Sequence, residues 1–403
     1  MSVRLLIKCS PFKNAVDGGV KASHKHYVRI LVLSAKELKG CTNAMTSSAY
    51  GWKLLYMAIM VVAFSSAYLR INFNHRRHLY NQIAASMASA RLSYISSPYT
   101  FLDCGNYRKL EKFGDVICSR SCPAAYWKPG LDPKVWDKAS VSYTGLSGNA
   151  GNWSGTMPFD WSISFRDNIY FNLNLSDLGQ IGVFPEQAVN WEWMDGLLGK
   201  HVDKQDTEIN VLNGFAYTGG STMAALKFAA TPVKVTHLDA SKSAVQWAKQ
   251  NIEISGLESD QKQVRWIVDD CITFLNREIK RGNKYNGLIF DPPAFGRFNG
   301  KKWKIERDFP TLIELIPKLL ISSNAPTFVI LSCHDEKFPK ERIEVMLRDS
   351  LKSFGVSGGK FENFDMILSA VDIGDNGETE LTKLEPKGKD LSCGSCVRWI
   401  KDR

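Results

Sequence analysis

Asp239, Asp270 and Asp291 follow, in that order, a glycine pair at the end of Val211-Leu-Asn-Gly-Phe-Ala-Tyr-Thr-Gly-Gly-Ser-Thr222. Each acid closes an apolar run of strand length. A carboxylate in that place accepts hydrogen bonds from ribose hydroxyls or an amino group, and it equally caps the helix that follows. One such acid carries little information; three behind a glycine turn point to a nucleotide-sized ligand. The third opens Asp291-Pro292-Pro293-Ala294-Phe295. Two prolines fix φ and remove two donors, so this loop is rigid. It holds an acceptor (Asp291 or the Pro292 carbonyl) beside a flat ring, Phe295. A heterocycle on that ring would face a methyl sulfonium, a cation that acidic surroundings favour. The chemistry read from these residues is in-line methyl transfer from S-adenosyl-L-methionine, where positioning supplies much of the rate.

Such residues need elements to place them. Strand-like runs at 209–212, 233–238, 264–268, 288–290 and 327–331 alternate with helical stretches at 221–230, 242–255, 272–280, 311–321 and 340–353. That alternation predicts an α/β fold with a mostly parallel sheet. In open sheets of this kind ligands bind beyond the carboxyl ends of the strands. Asn213 and Gly214 end the first strand, and Phe215, Tyr217 and Thr218 lead to Gly219-Gly220. The glycines permit close backbone approach, and a helix start at Ser221 or Thr222 offers free N–H groups. The spacing is not G-x-G-x-x-G, which disfavours a dinucleotide loop. Asp239 is followed by Ala240 and by Ser241, a predicted helix cap. Asp270, after Asp269, is placed to take the adenine amino group, with Cys271 and Ile272 beside the ring. Helix capping is the plainer reading of these acids.

The net charge of +10 is unevenly spread. Residues 1–102 hold thirteen Lys and Arg against Asp17 and Glu37, which leaves 38 bases against 39 acids for the rest. The basic balance therefore belongs to the leader and says little about the substrate of the folded part. Within the leader, Leu54 to Leu69 is an apolar run between Lys53 and Arg70. It is short against the ~20 residues of a membrane span and fits a signal sequence. The acid-free stretch after it has transit-peptide composition. Together they resemble the bipartite presequences of plastids, with a mitochondrial address or a retained membrane anchor as alternatives. On that reading the membrane is met only transiently, and Met45 is a second candidate start.

Three segments are thus expected: a presequence over 1–95, a β-rich unit over 96–182 and a catalytic domain over 183–403. The β unit shows apolar–polar alternation at 161–165 and 169–173, punctuated by Gly and Asn. Its tryptophans, Trp127, Trp136, Trp153 and Trp161, suit core packing more than base stacking. Nine scattered cysteines do not read as a disulfide framework. Cys118-x3-Cys122 and Cys393-x2-Cys396 lack zinc-knuckle surroundings, so no metal is expected.

Residues 180–403 resemble the S-adenosylmethionine-dependent methyltransferases of the ribosomal-RNA large-subunit cytosine-C5 / guanine-N7 group. The likeness is carried by Gly182-Val-Phe-Pro-Glu-Gln-Ala-Val-Asn-Trp191, the glycine run above, Arg265-Trp-Ile-Val-Asp-Asp270, Ile289-Phe-Asp-Pro-Pro-Ala-Phe-Gly-Arg297 and Trp303-Lys-Ile-Glu-Arg-Asp308. It is similar above all to a bacterial-type subgroup with an N-terminal β unit. The resemblance implies a Rossmann-like seven-stranded methyltransferase sheet with helices on both faces. It implies cofactor contacts at Glu186, Gln187, Phe215, Tyr217, Gly219, Asp239, Asp270 and Asp291.

The methylated atom stays open. Cytosine-C5 methylation needs a thiolate that adds to the ring. Cys333, beside His334, is the candidate, and the histidine would lower its pKa; relatives of the nearest subgroup commonly lack a cysteine here. Nitrogen methylation needs no covalent step, and Asp291 with the proline loop would suffice. Arg297, Lys301, Lys302, Lys304 and Arg307 form a basic loop that could grip phosphates of ribosomal RNA, or simply be solvated. A protein or small-molecule acceptor, a dehydrogenase on the same sheet, and a silent membrane-anchored RNA-binding relative are the other readings.

Overall fold

The computed structural model describes residues 99–145, 151–158, 160–166, 168–199, 208–322, 325–371 and 388–401. The presequence expected over 1–95, with its hydrophobic segment, lies outside the described residues. No described helix is long and apolar enough to cross a membrane.

The amino-terminal β unit has β1 (Tyr99–Gly105), β2 (Arg108–Phe113), β3 (Val116–Ser121), β4 (Val141–Tyr143) and β5 (Trp153–Gly155) in one sheet in that order. A separate hairpin joins β6 (Ser162–Ser164) to β7 (Tyr170–Asn172). The alternating runs at 161–165 and 169–173 are this hairpin. All four tryptophans are tied down by their indole N–H. Trp161 donates to the Phe113 carbonyl, Trp127 to that of Cys104, Trp153 to that of Ser176, and Trp136 to the Asp103 carboxylate. They build the unit rather than offer free rings.

After a 3-10 turn at Pro185–Gln187 come α1 (Ala188–Leu198), β8 (Ile209–Gly214), α2 (Gly220–Phe228), β9 (Val233–Asp239), α3 (Lys242–Ser255), β10 (Lys262–Val268) and α4 (Cys271–Arg281). The second half holds β11 (Gly287–Phe290), β12 (Phe295–Phe298), β13 (Lys301–Lys304), α5 (Ile305–Leu319), β14 (Thr327–Cys333), α6 (Lys340–Ser353), β15 (Lys360–Leu368) and β16 (Leu391–Lys401). The main sheet runs β10-β9-β8-β11-β14-β16-β15. Its first five strands are parallel, and β16 inserts antiparallel between β14 and β15.

One core packs α1, α2 and α3 with the β unit on one face of the sheet; the other packs α4, α5 and α6 on the opposite face. The β6–β7 hairpin is pinned to α3: Asn251 accepts the Asn172 N–H, Ser255 accepts that of Tyr170, and Trp247 donates to the Asn172 carbonyl. The β unit and the sheet thus belong to one compact unit.

The sequence places α3 and α6 at their observed bounds. It misplaces the start of α5, expected after Pro310 but found at Ile305 with Pro310 and Pro317 inside. Each interior proline deletes a helix hydrogen bond. The helix survives because Phe309, Leu312, Ile313, Ile316 and Leu319 bury one face, and the Asp308 carboxylate accepts the Lys304 N–H at its start.

Candidate active site

Strand order reverses at β8. The chain moves outward to β9 and β10, then returns to lay β11 on the other side of β8. A crevice opens at such a switch point, outside the carboxyl ends of the two inner strands. Gly214 ends β8 there, and Asp291 follows β11. Gly214 has no room for a side chain: a Cβ would meet the Phe290 ring at 2.7 Å.

The loop from Phe215 to Gly219 is wound tightly. Phe215 (φ 57°), Tyr217 (φ 48°) and Gly219 (φ 91°) all take left-handed backbone angles. For the two aromatics this costs about 1–2 kcal/mol each, offset by the contacts that hold the turn. Asp239 Oδ2 accepts the Tyr217 N–H at 2.8 Å, and Oδ1 accepts the Ser241 N–H at 2.7 Å. Thr218 donates to the Gly182 carbonyl at 2.6 Å, and Asn251 donates to the Thr218 carbonyl. Beneath them Asn213 donates to the Thr222 hydroxyl at 2.9 Å, which meets His237 Nδ1 at 3.0 Å. Burial drives the His237 pKa down to about 3, so the ring is neutral. Gly220 lies against Trp191, where a Cβ would come within 2.4 Å of the indole.

Asp239 is the acid best placed for a ligand. Burial raises its pKa, and the Ser241 and Tyr217 N–H groups act in the opposite direction. Each oxygen receives one N–H and keeps a lone pair for a diol. Among the described residues four buried side-chain atoms have no hydrogen-bond partner: Glu186 Oε2, Tyr217 OH, Thr231 Oγ1 and His237 Nε2. Buried polar groups are nearly always satisfied, so such orphans ask for a partner. A nucleoside with a polar amino-acid tail fits this donor and acceptor set.

The other two strand-end acids are more committed than their spacing suggests. Asp270 caps α4, accepting from the Thr273 N–H at 3.0 Å and from its hydroxyl, with Lys301 at 3.8 Å. Asp269 pairs with Arg277. Capping is therefore what Asp270 does in this structure; its Oδ2 is the atom left for a ligand. Ala240 and Ser241 open α3, with Ser241 as its cap.

Asp291 is gripped from both sides. Gln187 donates to Oδ2 at 3.0 Å, and His334 Nε2 lies 3.0 Å from Oδ1. Gln187 is fixed in turn by Ser332 and Asn190, and Asn190 by Arg398. His334 thus serves Asp291, not the Cys333 thiol beside it in sequence. The pleat of β14 explains this: Ser332 faces Gln187, whereas Cys333 turns into the core under α5 and α6. Cys333 is 1% exposed, and burial pushes its thiol up to about 11. Cys271 is likewise buried, its pKa raised by burial and by Asp270.

After Pro293 the chain forms the β12–β13 hairpin, turning through Asn299 and Gly300, both left-handed. The sequence alone suggests a loop here; antiparallel pairing of Phe295–Phe298 with Lys301–Lys304 makes it a hairpin. Register puts Phe295, Arg297, Lys302 and Lys304 on one face; Phe295 is 75% exposed. On the other face Trp303 is buried, donates to the Pro293 carbonyl at 2.7 Å and packs on Phe215 at 4.7 Å. Two of the five candidate phosphate ligands are engaged within the chain: Lys301 with Asp270, Arg307 with Asp308 at 2.7 Å. Arg297 and Lys302 form no ion pair among the described residues. No described group of three His, Cys, Asp or Glu could hold a metal.

No family model matches the chain. Among solved structures, a SAM-dependent methyltransferase from Agrobacterium tumefaciens superposes with TM-score 0.63 at 29% identity, covering 75% of this chain and 90% of that one. This chain carries a class I S-adenosylmethionine-dependent methyltransferase domain. A putative SAM-dependent methyltransferase from Streptococcus mutans shares the fold (TM-score 0.52, 15% identity, 82% of each chain). Among curated proteins, ribosomal RNA large subunit methyltransferase K/L of Pseudoalteromonas atlantica is 34% identical over 161 residues, 39% of this chain and 20% of its own length. Ribosomal RNA large subunit methyltransferase I of Klebsiella pneumoniae is 33% identical over 106 residues, 24% of this chain and 26% of its own. The chain spans about a fifth to a quarter of these curated relatives. The contact of His334 with Asp291, and the hairpin that sets Phe295, Arg297, Lys302 and Lys304 on one face, are site features that only the structure brings out.

Proposed function

We propose that this methyltransferase moves a methyl group from S-adenosylmethionine to a base of large-subunit ribosomal RNA, at a nitrogen and without a covalent enzyme intermediate. The observation that carries the nitrogen reading is the burial of Cys333 and Cys271, with both thiols held protonated. The bound cofactor supplies an electrophilic methyl on sulfur. The chain's own residues do the rest. Asp239 would hold the ribose hydroxyls, Asp270 Oδ2 the adenine, and Glu186, Tyr217 and the Asn213–Gly220 loop the methionine part. Asp291 and the Pro292 carbonyl accept the N–H bonds of the acceptor, aligning its nitrogen lone pair for in-line attack, and the surplus proton on the methylated nitrogen passes to solvent. Phe295 offers its face to the base, and Arg297, Lys302 and Lys304 meet the phosphates. The relatives named for ribosomal RNA and this basic aromatic face together support an RNA acceptor over a protein or a small molecule.

Cys333→Ala is expected to keep single-turnover methyl transfer within about threefold of wild type, because a buried thiol takes no covalent part. A loss of several orders of magnitude would instead establish carbon methylation. For the acceptor, ribosomal RNA from cells lacking the protein should be digested and its methylated nucleosides measured. One methylated base is expected to vanish and to return with the wild-type gene; no change sinks the ribosomal reading. Phe295→Ala should weaken RNA binding by about 1–3 kcal/mol, the worth of one stacked base, and leave cofactor binding unaltered.

The composition of residues 1–98 supports a plastid address for the protein, with the leader removed after import. A reporter fused to residues 45–98 tests it, and a uniform cytosolic signal would end the idea.

A further inference from the structure

Both ring nitrogens of His334 face acceptors. Nε2 lies 3.0 Å from Asp291 Oδ1, and Nδ1 faces the Cys393 carbonyl oxygen. An ionised carboxylate and a backbone carbonyl only accept; a neutral imidazole carries a single N–H. One of the two contacts would then set lone pair against lone pair. Only the imidazolium satisfies both.

The backbone is shaped to make this clamp. β16 approaches the end of β14 at Gly394, which takes φ 113°; a Cβ there would meet the Cys333 carbonyl at 2.5 Å and the His334 Cα at 3.0 Å. Glycine is therefore needed to bring the Cys393 carbonyl within reach. From the opposite side Gln187 fills Asp291 Oδ2, so the carboxylate cannot rotate away.

We propose that His334 is a positioning residue, a fixed imidazolium that holds the Asp291 carboxylate oriented as a hydrogen-bond acceptor for the methyl-accepting group. This rests on the functional reading above and adds to it an alkaline limit. The groups acting on the ring are Asp291 from the loop after β11, Glu186 from the turn before α1 and the Cys393 carbonyl from β16. The ring is 36% exposed, so desolvation pulls its pKa down only against contacts that win: these three, Asp291 foremost, raise it to about 9. A pKa raised on folding means the interaction is complete below the ordinary value of about 6.5 and is lost as pH rises through about 9.

The test uses the full-length protein. Imidazole nitrogen and carbon-proton NMR of the wild type should show one ring still doubly protonated at pH 8, and Asp291→Asn should shift that titration downward. In His334→Gln the signal should disappear. Single-turnover methyl transfer should fall about tenfold per pH unit above 9 in the wild type. In His334→Gln it should be slower at pH 7.5 and flat from pH 7.5 to 10, with cofactor affinity little changed. A titration near 6.5, or the same alkaline limb in the variant, overturns the proposal. Should no acceptor RNA be methylated, the functional reading fails while the NMR titration still decides the charge of the dyad. Should His334→Gln not fold, the wild-type and Asp291→Asn titrations decide it.

Discussion

Asp239→Ala is expected to weaken S-adenosylmethionine binding by at least about 100-fold. Hydrogen bonds to a charged group contribute roughly 1.5–3 kcal/mol each, and a carboxylate on a diol makes two. The mutation acts on the protein too. Asp239 also accepts the Tyr217 and Ser241 N–H groups, so alanine leaves the left-handed turn at Tyr217 without its anchor. Asn keeps one oxygen and should fall between the two. Calorimetry of the wild type, Asp239→Asn and Asp239→Ala gives the order directly. An alanine variant that binds within threefold of wild type would remove Asp239 from the cofactor site.

The second large effect is on rate. Asp291→Ala should slow single-turnover methyl transfer by about 10²–10³-fold, the usual loss when one preorganised polar contact at the reacting centre is removed. Affinity for the cofactor should change far less, because Asp239 and the glycine turn are untouched. The alanine also strands the His334 imidazolium without its carboxylate, so some stability will go with it; a thermal melt run beside the kinetics separates the two. If affinity and rate fall together by the same factor, Asp291 belongs to the cofactor and not to the acceptor.

Much of this domain is legible before folding. Periodicity locates five parallel strands, and a serine cap with a following glycine bounds α3 at both ends. The proline loop sits at the switch point of the sheet, and Asp239 and Asp270 lie at the carboxyl ends of the next two strands, β9 and β10. What stays hidden is set by contacts between distant segments. The β12–β13 hairpin is a mix of basic and aromatic residues that reads as loop until the Trp303 side chain is seen buried against Pro293 and Phe215. β16 reaches its place between β14 and β15 by pairings no local pattern reveals. His334 looks like a partner for the adjacent Cys333, but strand pleating turns neighbours to opposite faces. Asp270 accommodates both readings the sequence leaves open: one oxygen caps α4, and Oδ2 is left for a ligand.

Trp303 gives the molecule a property neither ligand has alone. Its ring leans on Phe215 in the cofactor turn, while its indole N–H holds the carbonyl of Pro293, between the Asp291 acceptor and the Phe295 platform. A shift of the turn on cofactor entry would be felt at the hairpin face proposed above to meet RNA. Linkage requires the reverse as well: whatever factor the methyl donor adds to RNA affinity, RNA adds to that of the donor.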